Sequence, residues 1–240
     1  MHIAENTCKF KIKDIVIVAI EILALILLAQ LVIHYMEPKN LFGNFFKDSN
    51  HESIETTLLY VLQSFLFLFP LYTYVAKKYH SKIADFGFRK VPIKYVIMLV
   101  AKAFGVVFLV GILLSYIQYH FNIQLPGFGV QESHIPLFGT SQFDIALGVL
   151  VVGVLAPFIE ELLFRGFLLQ TLMKYLPKWG ASVIVAIIFG VIHFEFQSIG
   201  ILIFLGFVLN WLYIKSNSTV PGIVFHVINN VLAFAFEFLK

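Results

Sequence analysis

Long apolar runs divide the chain into about seven segments, each close to the length that a helix needs to cross a bilayer. They cover approximately residues 15–36, 54–76, 95–119, 144–173, 179–196, 198–214 and 220–239. The fifth and sixth segments are short, and only a turn region near residues 193–200 separates them. Because a backbone in lipid must satisfy its own hydrogen bonds, this pattern predicts an all-α, polytopic membrane protein with about seven transmembrane helices.

Composition supports the same fold class. Of the 240 residues, 60% are hydrophobic and 13% are charged, whereas in a soluble domain about half are apolar and about a quarter charged. The single cysteine, Cys8, excludes an internal disulfide. The first apolar run follows a basic stretch, as in a signal peptide, but it is long, so we expect a retained first span. No linker or repeat is visible, and residues 1–240 are predicted to form a single membrane domain that binds no nucleic acid.

The basic residues predict an orientation. If the N-terminus is cytoplasmic and seven spans alternate, the outside segments carry only Lys39, Lys47 and Lys240, and residues 120–143 contain no Lys or Arg. Most of the 17 Lys and Arg residues then lie inside: Lys9, Lys11, Lys13, Lys77, Lys78, Lys82, Arg89, Lys90, Lys94, Lys174, Lys178 and Lys215. The positive-inside rule therefore predicts a multi-pass cell-membrane protein with its N-terminus in the cytoplasm and its C-terminus outside.

The fourth span contains charged residues that need an explanation at bilayer depth. Glu161 and Arg165 are four residues apart, so on a helix they share a face and can pair. Glu160 points about 100° away and is left as the unpaired carboxylate. Pro157 is expected to kink the helix just before these residues.

Two later spans repeat the four-residue spacing with polar side chains. Phe189 and His193 lie on one face of the fifth span, and His226 and Asn230 on one face of the seventh, which Thr219 is expected to cap. Their depths are compatible with a buried site that opens towards the cytoplasm. Amide hydrolysis needs an activated water and a group that stabilises the oxyanion, and these residue types supply both.

A zinc site is an alternative use of the same residues. One glutamate and two histidines, Glu160, His193 and His226, also form a zinc ligand set that leaves a position open for water. The chain has no H-E-x-x-H motif, so the common zinc-protease arrangement is absent. The residues leave open whether catalysis uses a metal.

Three stretches together resemble a known family. The sequences EELLFRG at 160–166, FGVIH at 189–193 and HVINN at 226–230 are similar to the motifs EExxxR, FxxxH and HxxxN/D of the CPBP family. That family contains CAAX proteases and bacteriocin-processing, Abi-type proteins. The resemblance covers residues 157–230, and the first three spans carry no signature beyond their hydropathy.

The resemblance implies an intramembrane endopeptidase with its active site within the helical bundle. It implies that Glu160 is the general base on a water that His193 helps to position. His226 and Asn230 would stabilise the oxyanion or bind a metal, which would be zinc or another divalent ion. The supporting residues are Glu161, Arg165 and Phe189. The implied substrate is a membrane-associated peptide of CAAX (lipidated), bacteriocin or signalling type, and the other partner is the lipid bilayer.

Two other functions remain as alternatives. A proton-coupled transporter could use the glutamate and the histidines as a relay, although no inverted repeat is visible. A non-catalytic bacteriocin-immunity or scaffold protein could keep the same fold. Each motif also has a purely structural explanation, because a buried ion pair or an interhelical hydrogen bond is by itself weak evidence of function.

Overall fold

The computed structural model describes residues 8–36, 51–129 and 138–237, and all regular structure in them is helical. Helix α2 continues as a π-helical turn, Leu71–Ala76, and a short 3₁₀ helix, Ile83–Phe86, precedes α3. The helices are α1 (Ile12–Met36), α2 (His51–Pro70), α3 (Ile93–Phe121), α4 (Gln142–Leu172), α5 (Lys178–Val191), α6 (Ile199–Ser216) and α7 (Val220–Glu237). Six of these described helices are long and apolar enough to cross a membrane, and α5 is the shorter apolar one. The predicted all-α, polytopic membrane fold is confirmed, and the protein is a multi-pass membrane protein.

Helix α5 ends earlier than predicted. It has 14 residues, a length of roughly 21 Å, and stops at Val191, whereas the fifth span was expected to reach residue 196. The backbone of Phe194 has φ 55°, in the left-handed region, which a right-handed helix cannot continue through. His193 therefore lies in the turn that follows α5, at the start of the turn region expected near residues 193–200.

The start of α7 also differs in detail from the prediction. The hydroxyl of Thr219 has no hydrogen-bond partner among the described residues. The hydroxyl of Ser218 instead accepts a hydrogen bond from the N–H of Val220 at 3.2 Å, so Ser218 satisfies one of the free donors of the first turn. The last residues of the predicted seventh span, together with Lys39, Lys47 and Lys240, lie outside the described residues.

Helix α4 is irregular around Pro157. Two π-helical stretches, Val149–Leu155 and Phe164–Leu169, flank the α-helical turns Ala156–Leu163 that carry the two glutamates. The first stretch ends just before Pro157, where the N–H of Ala156 bonds the carbonyl of Val151. Proline cannot donate to the regular ladder, and π-turns within helices occur often at functional sites.

The chain groups into two compact units, each drawn from separate stretches. The first contains residues 1–9, 82–132 and 160–226, and the second contains residues 10–81, 133–159 and 227–240. This grouping does not test the prediction of a single membrane domain, which stays a prediction.

In the first unit, α5 and α6 pack along each other, and α3 and the second half of α4 both contact α6. Gly206 allows the close crossing, since a Cβ there would lie 3.0 Å from the Cα of Ala186.

A set of polar contacts joins four connecting segments within the first unit. Lys9 forms an ion pair with Asp85 at 2.9 Å, and the side chain of Gln170 donates to the carbonyl of Asp85 at 2.7 Å. Arg89 donates to the side chain of Asn217 at 2.5 Å. The segment before α1, the loop after α2, the end of α4 and the turn between α6 and α7 therefore lie on the same side of this unit.

The ion pair between Lys9 and Asp85 is suited to neutral pH. Burial raises the pKa of the Asp85 carboxyl. Hydrogen bonds from Lys9 and from the N–H of Lys82 lower this pKa, and together with the nearby positive charges they outweigh the effect of burial. The net pKa lies below the usual range for aspartate, so the carboxylate stays ionised near neutral pH.

In the second unit, a core of Phe138, Val151, Val152 and Phe234 holds the first half of α4 against α7, with Tyr60 of α2 packed on it. The buried carboxylate of Asp14 at the start of α1 accepts from Lys78 at 2.5 Å and from Tyr79 at 2.7 Å. This unit therefore also places the start of α1 beside the loop after α2.

Gly166, at the end of the first motif, is required because the backbone at Phe86 approaches it closely. A Cβ at this position would lie 2.6 Å from the backbone carbonyl oxygen of Phe86, which cannot move as a flexible side chain can. We expect Gly166→Ala to destabilise the protein by about 1–3 kcal/mol through overpacking. Thermal unfolding in detergent measures the effect, and Gly111→Ala is the control because a Cβ at Gly111 meets nothing within 4 Å. Equal melting temperatures for the two variants would contradict this prediction.

Candidate active site

The predicted pair of Glu161 and Arg165 is present. Oε1 of Glu161 accepts a hydrogen bond from Nη1 of Arg165 at 2.8 Å, and both side chains are fully buried. Arg165 also donates from Nε to the side-chain oxygen of Asn210 at 3.1 Å and from Nη2 to the carbonyl of Gly206 at 3.0 Å. A buried guanidinium needs such partners, because an unpaired charge in a low-dielectric interior is very costly.

Asn210 links this pair to a third helix. Its side-chain nitrogen donates to the carbonyl of Ser182 on α5 at 3.0 Å, while its oxygen faces Arg165. Its role as the anchor of Arg165 was missed, and the available signal was a lone amide one turn after a glycine, Gly206, in an otherwise apolar helix.

Glu160 is the carboxylate left without a partner. One of its oxygens, Oε2, is buried and has no hydrogen-bond partner in the described part of the chain. The ring nitrogens Nε2 of His226 and His193 lie 3.7 Å and 4.0 Å from this oxygen. The structure therefore brings together Glu160 and both predicted histidines, at distances slightly too long for direct hydrogen bonds.

His193 is held by the end of α5 although it lies beyond that helix. Its Nδ1 is 2.6 Å from the carbonyl oxygen of Phe189. A carbonyl only accepts, so the proton of this contact resides on Nδ1. The contact satisfies one of the carbonyls left free at a helix C-terminus and turns Nε2 towards Glu160.

His226 contacts both carboxylates of the first motif. Its Nδ1 lies 3.3 Å from Oε1 of Glu161, and its Nε2 faces Glu160. The side chain of His226 is 8% exposed, against 25% for Glu160. Because Glu161 and Glu160 are adjacent on α4, one imidazole on α7 meets the structural pair with one nitrogen and the free carboxylate with the other.

The ring of Phe189 packs among these polar groups. Its centroid lies 4.8 Å from the guanidinium carbon of Arg165, 4.8 Å from the ring of His193 and 5.9 Å from that of His226. It is buried, with 1% exposure. An aromatic face over a guanidinium is favourable, and a dry environment strengthens the electrostatic interactions around it.

Asn230 has a different environment from the other predicted residues. It lies one turn after His226 on α7, but it belongs to the second unit, where its side-chain nitrogen donates to the carbonyl of Val152 at 3.2 Å. Its neighbour Asn229 lies within 3.5 Å of its side-chain oxygen. The predicted catalytic role of Asn230 stays a prediction.

The donor types at Glu160, His193 and His226 are those that zinc takes. Among the described residues, however, no three His, Cys, Asp or Glu side chains are grouped as the ligands of one metal ion would be. The predicted role of Glu160, His193 and His226 as metal ligands stays a prediction.

The comparison with known protein families now bears on this geometry. Residues 142–232 match the family model described as Rce1-like, type II CAAX prenyl endopeptidase. This match supports the resemblance of the segment to the CPBP/CAAX protease family. The match contains all three motifs and extends the resemblance to the start of α4, and it covers less than half of the chain. No curated protein and no solved structure matches the chain.

The anchor of Arg165 can be tested through stability. Asn210→Leu removes both the acceptor for Arg165 and the donor to Ser182, leaving buried polar groups unpaired, so we expect a loss of about 2–4 kcal/mol. Gln63→Leu is the control, because it makes the same change at an exposed position of α2. Unfolding of the two purified variants in detergent measures both effects. The assignment of Asn210 is wrong if its replacement costs no more than that of Gln63.

Proposed function

We propose that the protein is an intramembrane endopeptidase in which Glu160 activates a water for attack on a peptide bond. The observation that carries this proposal is the buried, unpartnered Oε2 of Glu160, with the Nε2 atoms of two histidines 3.7 Å and 4.0 Å away. Three motifs that are far apart in the sequence supply these three atoms. The match to a CAAX endopeptidase family supports the same conclusion.

Oε2 of Glu160 and Nε2 of His193 both present lone pairs. A carboxylate is an acceptor only, and an imidazole protonated on Nδ1 presents the lone pair of Nε2. A water about 2.8 Å from Glu160 and from one of the Nε2 atoms could donate to both, because the two acceptors lie at a separation that a single water bridges. Such a water would be polarised by the base that takes its proton.

In the proposed reaction, Glu160 takes one proton from the water and later gives it to the leaving group. Oε2 of Glu160 takes a proton from the water as the water oxygen bonds to the carbonyl carbon of the substrate. His193 holds this water in place, and the negative charge that develops on the carbonyl oxygen is stabilised by an N–H donor from His226 when its Nε2 is protonated. Glu160 then returns the proton to the leaving nitrogen, and the C–N bond breaks to give a carboxylic acid and an amine.

Asn230 has a predicted part in the same step. An amide nitrogen carries two N–H donors, and the contact with Val152 uses one of them. We propose the second as a further donor to the oxyanion, as the family motif implies.

The substrate that we propose is a peptide held at the membrane, of the CAAX type named in the family description. Bacteriocin precursors and signalling peptides are the alternatives within the same reaction class. Membrane peptides from cells that express the wild type or Glu160→Gln would identify it. Identical peptide profiles would argue against proteolysis as the physiological role.

The catalytic assignment predicts a clear mutational pattern. We expect Glu160→Gln and His193→Ala each to lower kcat by about 10²–10⁴-fold, the range for loss of a general base or its partner. Glu21→Gln, another glutamate in an apolar span, is the matched control and should keep its activity. Peptide cleavage in liposomes by purified protein measures this. Full activity of both site variants would overturn the enzyme proposal, and proton movement without cleavage would favour the transporter.

Metal removal provides a separate test. Because the proposed reaction uses only protein groups and water, we expect cleavage to persist after treatment with a zinc chelator. Activity that is lost with the chelator and restored by added zinc would assign Glu160, His193 and His226 as ligands instead.

We also propose that the N-terminus is cytoplasmic and the C-terminus external. Supporting this, Lys9 contacts Asp85 and Arg89 contacts Asn217, so the basic segments meet on one side of the first unit. In a Cys8→Ser background, Gln124→Cys should react with a membrane-impermeant maleimide in intact cells. Lys90→Cys should react only after permeabilisation. The reverse labelling pattern would invert the orientation.

A further inference from the structure

The carboxylate of Glu161 lies between Arg165, His226 and the backbone of Gly222. Oε1 of Glu161 contacts Arg165 at 2.8 Å and Nδ1 of His226 at 3.3 Å, so one oxygen serves both groups. The other oxygen, Oε2, is buried and has no partner among the described residues. The ion pair therefore extends to a third residue, which lies on a different helix.

The neighbouring groups determine which atom carries the proton in the contact between Glu161 and His226. The guanidinium of Arg165 only donates, and the carboxylate of Glu161 beside it only accepts. The hydrogen between Glu161 and His226 then belongs to Nδ1 of the imidazole. A carboxylate that accepts from one ring nitrogen fixes the tautomer of a histidine in the same way at many metal and catalytic sites.

Arg165 fixes the position of this carboxylate. The guanidinium is tied to Asn210 and to the carbonyl of Gly206 on α6, and Asn210 is tied to Ser182 on α5. Glu161 therefore cannot follow a displaced imidazole without breaking bonds to two other helices.

Gly222 provides the space that the contact needs. Gly222 and His226 are four residues apart on α7, so they lie on the same face. A Cβ on Gly222 would lie 2.6 Å from Oε2 and 3.3 Å from the carboxyl carbon of Glu161. A side chain at this position would push the carboxylate away from the ring nitrogen one turn later.

We propose that Glu161 is a positioning residue that keeps a proton on Nδ1 of His226, and that Gly222 is the gap in α7 that admits its carboxylate. Because Nδ1 keeps its proton, proton exchange takes place at Nε2, which faces Glu160. This inference deepens the proposed peptidase mechanism and rests on it for its kinetic consequence. The position of the proton itself does not depend on any activity.

The first experiment reads the tautomer without substrate. Protein labelled with ¹⁵N-histidine is prepared in nanodiscs, and the His226 signals are assigned by their loss in His226→Gln. We expect Nδ1 to carry a proton, whether or not Nε2 is also protonated. A bare Nδ1 in the wild type would overturn the proposal, and this result stands even if the protein proves not to cleave peptides.

The second experiment compares two Gly→Ala variants. Gly222→Ala should lower kcat by about 10- to 100-fold, the size expected for a displacement of up to about 1 Å in a catalytic group. It should leave KM within about twofold and give a mixture of His226 tautomers. Gly105→Ala, where a Cβ meets nothing within 4 Å, is the control. Gly222→Ala with the wild-type tautomer and kcat would overturn the role of the gap.

A third variant separates positioning from folding. Glu161→Gln can keep an oxygen at the Oε1 position, so it retains an acceptor for Nδ1 and for Arg165 while losing the charge. We expect the Nδ1–H signal to persist in the folded fraction, whereas Glu161→Met should lose it. Equal His226 spectra in Glu161→Gln and Glu161→Met would show that Glu161 does not set the tautomer. Failure of Glu160→Gln to affect cleavage would instead count against the peptidase alone.

Discussion

The buried ion pair between Glu161 and Arg165 is the interaction on which the site depends. It contributes little net stability by itself, because removing two charges from water costs about as much as their attraction returns. Its effect is to fix geometry. Arg165 binds α6 through Asn210 and Gly206, and Glu161 reaches His226 on α7. One local pair on α4 thereby sets the positions of groups on two other helices.

The two histidines are oriented in the same way, although His193 lies in a turn and His226 lies in a helix. Each uses Nδ1 for a structural acceptor, the carbonyl of Phe189 for His193 and Oε1 of Glu161 for His226, and each turns Nε2 towards Oε2 of Glu160. Rigid imidazoles aimed at one point need little reorganisation during a reaction, which is the main source of electrostatic catalysis. The apolar ring of Phe189 packs against both imidazoles.

Local features of this protein could be predicted from the sequence, and features that depend on distant contacts could not. Hydropathy indicated the helices, and the i, i+4 spacing indicated the pairing of Glu161 with Arg165, because both depend on neighbours in the chain. The end of α5 depends on the left-handed backbone of Phe194, which no local propensity favours at a bulky residue. The partners of Arg165 on α6 and the space at Gly222 depend on how helices cross, which a single sequence does not show.

The sequence separations of these contacts have a consequence for biogenesis. Glu161 and Arg165 are four residues apart, so they can neutralise each other as soon as α4 forms, whereas Asn210 follows Arg165 by 45 residues and His226 follows Glu161 by 65. During synthesis, α4 must therefore enter the membrane before its later partners have been translated. The pair allows this by masking its own charges. The carboxylate of Glu160 has both imidazoles beside it only after His226 has been translated, so a shorter nascent chain in the translocon has no assembled site.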